Sequence, residues 1–332
     1  MELRRLGTLA VPAVGFGAMV LSPGLYGDVD DGQARQALLS AIEAGSSFID
    51  TSDGYGADSH NESLIGATLG VRRDDVLIST KFGYRPPAGA ERHQVTLPYG
   101  VLSLNAEPRY VRGYAMASLE RLRTDHIDVY SPHFPDPNVP IEETVGAIAE
   151  LVAEGIVRHV GLSNVSADQL ERAAVVHPIT VVQCEWSLWT APDPALLSAA
   201  RRHGIGVVAW APLGGGFLTG TIGALDPRDL RNRFPRFSGS NLAVNTDRFA
   251  PLRTVADELG LTPGQLALAW LLHQHSAVVP IPGSRTPAHI VANAEAAEVV
   301  LSPRELAQID EARRSFQPEG GSTIEVPAAS TT

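Results

Sequence analysis

Eight short apolar runs recur along this chain, and helical patterns of apolar residues lie between them. The runs are "AVGFGAM", "SFID", "VLISTK", "IDVYS", "VRHVGLS", "TVVQ", "IGVVAWA" and "AVVPIPG". Strands that alternate with helices pair in parallel, because each helix carries the chain back across the sheet. In "PIEETVGAIAELVAEG", Ile141, Val145, Ile148 and Val152 form one helical stripe, and Gly155 stops it before the next strand. Val111, Ala115, Leu119 and Leu122 form another in "PRYVRGYAMASLERLR". Helix starts are signalled at Ser302-Pro303-Arg304-Glu305, at Thr262-Pro263-Gly264-Gln265 and at Thr286-Pro287, by an N-cap followed by proline. With no internal break in composition, this pattern predicts an α/β fold of one (β/α)8 TIM barrel. The competing open, doubly wound sheet wants a glycine fingerprint after an early strand. "GFGAMV" offers Gly15 and Gly17 but has Val20 in the third position. The barrel domain is placed at residues 1–316, with 317–332 as a flexible tail that is small, polar and proline-bearing.

The formal net charge of -11 repels nucleic acid and anionic membrane, so neither is an expected partner. A local basic pocket for one phosphorylated small molecule is compatible with it. The single cysteine, Cys184, excludes an intrachain disulfide and a cysteine metal cluster, which fits a reducing cytoplasm. No apolar run approaches membrane-spanning length, and the N-terminus lacks a signal-peptide pattern. No metal is expected: His133 and Asp136 have no further ligands at suitable spacing.

In a barrel, functional side chains gather at the C-terminal ends of the strands. Here those ends carry Asp50, Lys81, the stretch 130–133, Ser163-Asn164, Gln183, Trp210 and the stretch 283–285. A lysine ending the apolar strand "VLISTK" needs a counter-ion, and Asp50 on a neighbouring strand supplies one. A tyrosine titrates near ~10, and a lysine cation against its hydroxyl lowers that value. Tyr55 beside Lys81 would then be a proton donor near neutral pH, with His133 polarising or orienting the same oxygen. Such a set protonates an oxygen as hydride arrives at its carbon and supplies no hydride itself, so a cofactor is implied. Alone, each residue has an ordinary structural explanation: a turn cap for Asp50, a solvated strand end for Lys81, a loop aromatic for Tyr55, a structural hydrogen-bonder for His133. Together at strand ends they favour a site.

The stretches "DTSDGYG", "STKFG", "SLERLRTDHIDVYSPHFPDP", "VRHVGLSN", "VVQCEWSLW", "WAPLGGGFLTG" and "IPGSRTPAHIVAN" give the chain a resemblance to the aldo-keto reductases from about Leu6 to Arg313. The resemblance implies a (β/α)8 barrel closed at its base by an N-terminal β-hairpin, here "ELRRLGTLAVPAV". It implies a catalytic tetrad of Asp50, Tyr55, Lys81 and His133, all present. It implies a nicotinamide held by Ser163, Asn164 and Gln183 and stacked on Trp210, with Gly17, Met19 and Asp50 also lining the cofactor site. Ala211, Pro212, Leu213 and Gly215 would offer backbone N–H groups to a pyrophosphate. Gly283, Ser284 and Arg285, with His289 and Asn293 on one face of the following helix, would hold the adenosine end. Arg285 at a helix N-terminus suits a phosphomonoester and favours NADPH (NADP+) over NADH. His289 stands where arginine or glutamine is common, and Gly283 where some members carry lysine, so Arg285 is the main support for that preference. The loops 84–106 and 221–245 would hang over the mouth and supply Tyr84, Tyr99, Phe234 and Phe237 as pocket walls. The reading is reduction of a small-molecule aldehyde or ketone to an alcohol. Two alternatives stay open: a biosynthetic enzyme of the same family acting on a sugar or polyketide carbonyl, and a nucleotide-sensing accessory subunit with little turnover.

Overall fold

The computed structural model describes residues 1–97 and 100–321. Tyr99 and the tail from residue 322 lie outside the described residues. All eight apolar runs contain strands of one parallel sheet. These are β3 (Phe16–Gly17), β4 (Phe48–Asp50), β5 (Leu77–Phe82), β8 (Ile127–Pro132), β9 (Val157–Ser163), β10 (Ile179–Glu185), β11 (Gly206–Trp210) and β12 (Val278–Pro280). They pair in that order, and the ring closes where Gly15 N–H donates to Pro280 O at 3.0 Å and Gly17 N–H to Pro282 O at 3.3 Å. The first run yields only two strand residues. Its glycines are pressed into the closing seam: a Cβ on Gly17 would lie 2.6 Å from Ile281 O.

A hairpin of β1 (Leu3–Leu6) and β2 (Leu9–Pro12) turns at Gly7, whose φ of +57° suits glycine, and packs under the ring. Leu6 and Val11 join Phe48, Val129, Val181, Val208 and Val279 in an apolar plug, which closes the base. Arg4 fastens the hairpin by donating to the carbonyls of Leu272, His275 and Val278.

The outer helices are α1 (Asp31–Glu43), α2 (His60–Leu69), α3 (Pro108–Leu122), α4 (Ile141–Ala153), α5 (Ala167–Val176), α6 (Pro194–Arg202), α7 (Asn241–Arg248), α8 (Ala250–Glu258), α9 (Pro263–Leu272), α10 (Pro287–Glu295) and α11 (Pro303–Ser315). Capping boxes start α9 at Thr262/Gln265 and α11 at Ser302/Glu305, where the sequence signals them. The stripe Val111, Ala115, Leu119 and Leu122 is buried along α3, and Gly155 adopts φ +79° beyond α4.

Two departures concern the mouth. The stretch 84–106 is not a plain loop: β6 (His93–Leu97) and β7 (Gly100–Leu104) form a second hairpin. Asp136 anchors it, accepting from His93 Nδ1 at 2.8 Å and from Ala106 N–H at 2.8 Å. The stretch 221–245 runs through short 3-10 turns into α7. Residues 317–321 are tied down: Asn245 exchanges hydrogen bonds with Glu319, and Arg248 pairs with Glu319 at 2.7 Å. No described helix is long and apolar enough to cross a membrane.

Candidate active site

The strand register sets Asp50 beside Lys81 at the mouth. Asp50 ends β4, and β5 beside it carries Lys81 two residues beyond Ser79, the partner of Asp50. Lys81 Nζ donates to Asp50 Oδ1 at 2.6 Å and to Thr51 O at 2.7 Å. The two side chains are almost wholly buried, Lys81 at 1% and Asp50 at 2% exposure. An ion pair at this depth persists only if its remaining polar atoms are satisfied. Asp50 Oδ2 accepts from Ser79 Oγ at 3.2 Å and from Gln183 Nε2 at 2.7 Å.

The loop after β4 carries Tyr55 back over this pair. Asp53 N–H donates to Lys81 O, and Asn61 N–H to Tyr55 O. The Asn61 side chain bridges Thr51, Ala18 and Ser22, so the loop is held from three sides. Lys81 Nζ lies 5.2 Å from the centre of the Tyr55 ring, and the His133 ring meets Tyr55 edge-on at 5.5 Å. His133 follows β8 and sits between Tyr84 and Phe134. Burial, and then the Lys81 charge, hold its pKa well below 6.5, so the imidazole is neutral at physiological pH. Its Nδ1 faces Ser52 Oγ at 2.8 Å.

Asp50, Tyr55 and His133 line one cleft of about 890 Å³ together with Gly17, Met19, Asn164, Gln183, Trp210, Ala211, Pro212, Leu213, Gly215, Gly283, Ser284, Arg285, His289 and Asn293. That volume falls within the ~300–1,000 Å³ of small-molecule and cofactor sites. Lys81 lies beneath the lining, and Ser163 is fully buried behind Asn164, whose Nδ2 it accepts at 3.1 Å.

The polar side chains expected around the ring end are largely engaged within the protein. Asn164 donates to His133 O and accepts from Trp210 Nε1 at 3.1 Å, which fixes the indole. The Gln183 amide nitrogen is held by Asp50, which leaves its carbonyl oxygen for a ligand. The far end has the features an elongated phosphorylated cofactor needs. Gly214, Gly215 and Gly216 take φ of +56°, +65° and +91°, a run of left-handed backbone open to side-chain-free approach. Gly283 presses on β3 so closely that a Cβ would sit 2.5 Å from Gly17 O. The first turn of α10 has no side-chain cap from Thr286, so its N–H groups remain for an anion. Arg285 donates to Asp28 O and Tyr26 O, both at 2.7 Å, and so reaches across the cleft.

Of the expected pocket walls, Tyr84, Phe234 and Phe237 line the cleft; Tyr99 lies outside the described residues. Sequence reading missed Tyr26, Phe134, Trp189 and Arg231 in the lining. It also left Ser52 and Asp53 without a role, although both lie between Asp50 and Tyr55. Arg231 bridges Asp229 and Gly215 O and lies over the Tyr26 ring at 5.0 Å, contacts between loops that no local pattern announces.

Residues 13–314 match the model of the Aldo/keto reductase family. The chain is 38% identical over 315 residues to a "Probable aldo-keto reductase 1" of Glycine max, covering 93% of this chain and 88% of that one. It is 38% identical over 319 residues to the Schizosaccharomyces pombe aldo-keto reductase yakc, whose name carries NADP(+), covering 93% and 90%. A crystal structure of an aldo/keto reductase from Klebsiella pneumoniae in complex with NADP and acetate superposes with a TM-score of 0.70 at 27% identity, covering 98% of this chain and 99% of that one.

Proposed function

The chain belongs to the aldo/keto reductase family, an oxidoreductase family, and on that premise we propose that it reduces an aldehyde or ketone to an alcohol with NADPH in the cytoplasm. The observation that carries this reading is the buried Asp50–Lys81 pair beneath Tyr55, with a neutral His133 facing the same cleft. The glycine-lined trough and the uncapped start of α10 fit the phosphates of a dinucleotide. When bound, NADPH supplies the hydride.

The rest of the chemistry falls to this chain. Tyr55 gives its hydroxyl proton to the carbonyl oxygen. The Lys81 cation favours the phenolate left behind, and Asp50 keeps that cation in place. Ser79 and Gln183 keep Asp50 oriented. The neutral state of His133 supports Tyr55 as the donor and gives the imidazole the task of holding the substrate oxygen. Trp210, pinned by Asn164, offers a flat face for the nicotinamide. Arg285 supports a preference for NADPH over NADH. Aromatic side chains of Tyr84, Phe134 and Trp189 favour substrates with an apolar body.

Replacing Tyr55 by phenylalanine keeps the ring and removes the proton. Tyr55→Phe is expected to lose nearly all turnover, while fluorescence titration shows NADPH binding close to wild type. Wild-type turnover in that variant would overturn the role of Tyr55.

A further inference from the structure

His133 is neutral, so one of its two ring nitrogens carries a proton and the other a lone pair. Which is which decides what the imidazole does at the substrate. With the proton on Nε2 it donates to a carbonyl oxygen; with the proton on Nδ1, Nε2 only accepts, as from an alcohol. The choice is made at Nδ1, and Nδ1 faces Ser52 Oγ at 2.8 Å. Ser52 Oγ in turn lies 3.2 Å from Asp53 Oδ1 and accepts from Gly54 N–H at 3.1 Å. The other oxygen of Asp53, Oδ2, accepts from Gly83 N–H at 3.1 Å and Arg85 N–H at 3.2 Å. Asp53 is fully buried.

A hydroxyl has one hydrogen and two lone pairs. One lone pair of Ser52 is taken by Gly54, which leaves two complete arrangements. If Asp53 is ionised, Ser52 donates to Oδ1 and must accept from His133 Nδ1–H. If Asp53 is protonated, its proton sits on Oδ1, because Oδ2 already accepts twice. Ser52 then accepts from Asp53 and donates to Nδ1, and the imidazole proton resides on Nε2. Mixed arrangements point two donors or two lone pairs at each other and leave a buried polar atom unmet.

We propose that Asp53, acting through Ser52, sets which ring nitrogen of His133 carries the proton, and so whether the site receives a carbonyl or an alcohol oxygen. The proposal rests on His133 as the group that holds the substrate oxygen. Asp53 and Ser52 are positioning residues: neither needs to touch the substrate.

The surroundings place the exchange in a useful range. Burial and the Glu62 carboxylate on α2 raise Asp53 to about 7, against the pull of the Gly83 and Arg85 N–H groups and of Arg121 on α3. Glu62 is itself bound by Arg121 at 2.7 Å and Thr80 at 2.6 Å. The Arg85 guanidinium is turned to Gly56 O, the Tyr114 hydroxyl on α3 donates to Asn105 O, and the phenols of Tyr114 and of buried Tyr130 on β8, within the influence of the Asp53 charge, stay neutral. On the imidazole side, Lys81 is the neighbouring charge. One unit above the midpoint, about a tenth of the molecules keep the carbonyl-holding form, and the apparent KM for a carbonyl rises about tenfold.

The test uses protein labelled with ¹⁵N at histidine and saturated with NADP+, followed by NMR from about pH 5.5 to about pH 8.5. The His133 signals are those lost in His133→Gln. The expected result is a proton on Nε2 at the acid end and on Nδ1 at the alkaline end. In Asp53→Asn the Gly83 and Arg85 N–H groups orient the amide so that its NH2 always donates to Ser52. That variant is expected to keep the proton on Nε2 throughout. In NADPH-dependent reduction of 4-nitrobenzaldehyde, the wild-type KM rises above neutrality while that of Asp53→Asn does not, so the variant has the higher kcat/KM at the alkaline end. Should Asp53→Asn fail to fold, Ser52→Ala abolishes the exchange and Ser52→Thr restores it. A His133 proton that stays on one nitrogen across the range, or that moves in Asp53→Asn as in wild type, overturns the proposal. Exchange of the proton without any change in KM upholds the relay and removes His133 from substrate holding instead.

Discussion

Asp50 and Lys81 meet where two strands end, and their partners are side chains whose positions follow from strand register. That is why this pair is legible in the sequence; Tyr55 in the loop after β4 and His133 beyond β8 stand out only beside the pair and through the family resemblance. Ser52 and Asp53 carry no such mark. Small polar residues before a glycine read as turn formers, and only the fold reveals that Asp53 is fully buried against two backbone N–H groups. The same burial has a consequence for stability. An unfolded aspartate titrates near ~3.9, whereas folded Asp53 titrates at about 7. Between those values the folded chain holds a proton that the unfolded chain has released, so stability falls as pH rises. At about 1.36 kcal/mol per unit, the loss between about pH 5 and 7 is roughly 2–3 kcal/mol. Asp53→Asn has no such proton to lose. Urea unfolding at about pH 5 and pH 8 is expected to show the variant gaining on wild type by that amount at the higher pH. An equal difference at both pH values would contradict a raised pKa at Asp53.

At the scale of elements, apolar runs located every barrel strand, apolar stripes located α3 and α4, and N-cap signals located α9 and α11, while the Ser166/Gln169 capping box of α5 went unread. Such local signals failed where an element is stabilised by what it leans on. The β6–β7 hairpin lies in a stretch rich in proline and glycine, yet Leu97, Leu104 and Phe134 form a small core beneath it, and His93 is locked to Asp136. Helix α7 starts within a stretch read as loop, where buried Asn245 ties it to Arg236 O and to the chain at Glu319. The N-terminal hairpin shows how tightly such leaning is tuned. A Cβ on Gly206 would stand 2.4 Å from Leu6 Cδ2 and 2.6 Å from Leu6 Cα, so the contact includes backbone that cannot rotate away. Gly206→Ala is therefore expected to push the hairpin off the base and to destabilise the protein by roughly 1–3 kcal/mol. Its effect on NADPH affinity should be small, since the cleft lies at the opposite end of the strands. Unchanged thermal stability would mean that the hairpin is not pressed against β11.

For the whole molecule, the sequence indicated an acidic protein with room for one local basic pocket, and Arg231, Arg233, Arg236 and Arg285 do line the cleft of a chain with net charge -11. What no local pattern conveys is that three loops from distant parts of the chain are tied together across that cleft. Arg285 reaches from the segment before α10 to the carbonyls of Tyr26 and Asp28. Leu230 N–H joins Leu25 O at 3.0 Å, and Arg231 covers Tyr26 while holding Gly215 O. Arg228 meets Asp28 as well, but both side chains are 67% exposed, and such a pair adds little. On the proposed reading a dinucleotide would lie beneath these ties, and Arg285 would act on its affinity in two ways: as a candidate partner for the ribose phosphate and as a strap. Comparing NADPH with NADH in Arg285→Ala separates them. Losing hydrogen bonds from a charged group costs about 1.5–3 kcal/mol, and the lower end applies to a side chain in partial contact with water. About 1.4 kcal/mol is tenfold. Stopped-flow fluorescence is therefore expected to show NADPH leaving the variant roughly ten times faster, with a smaller increase for NADH. Equal increases for the two cofactors would leave Arg285 the strap alone and remove it from phosphate recognition.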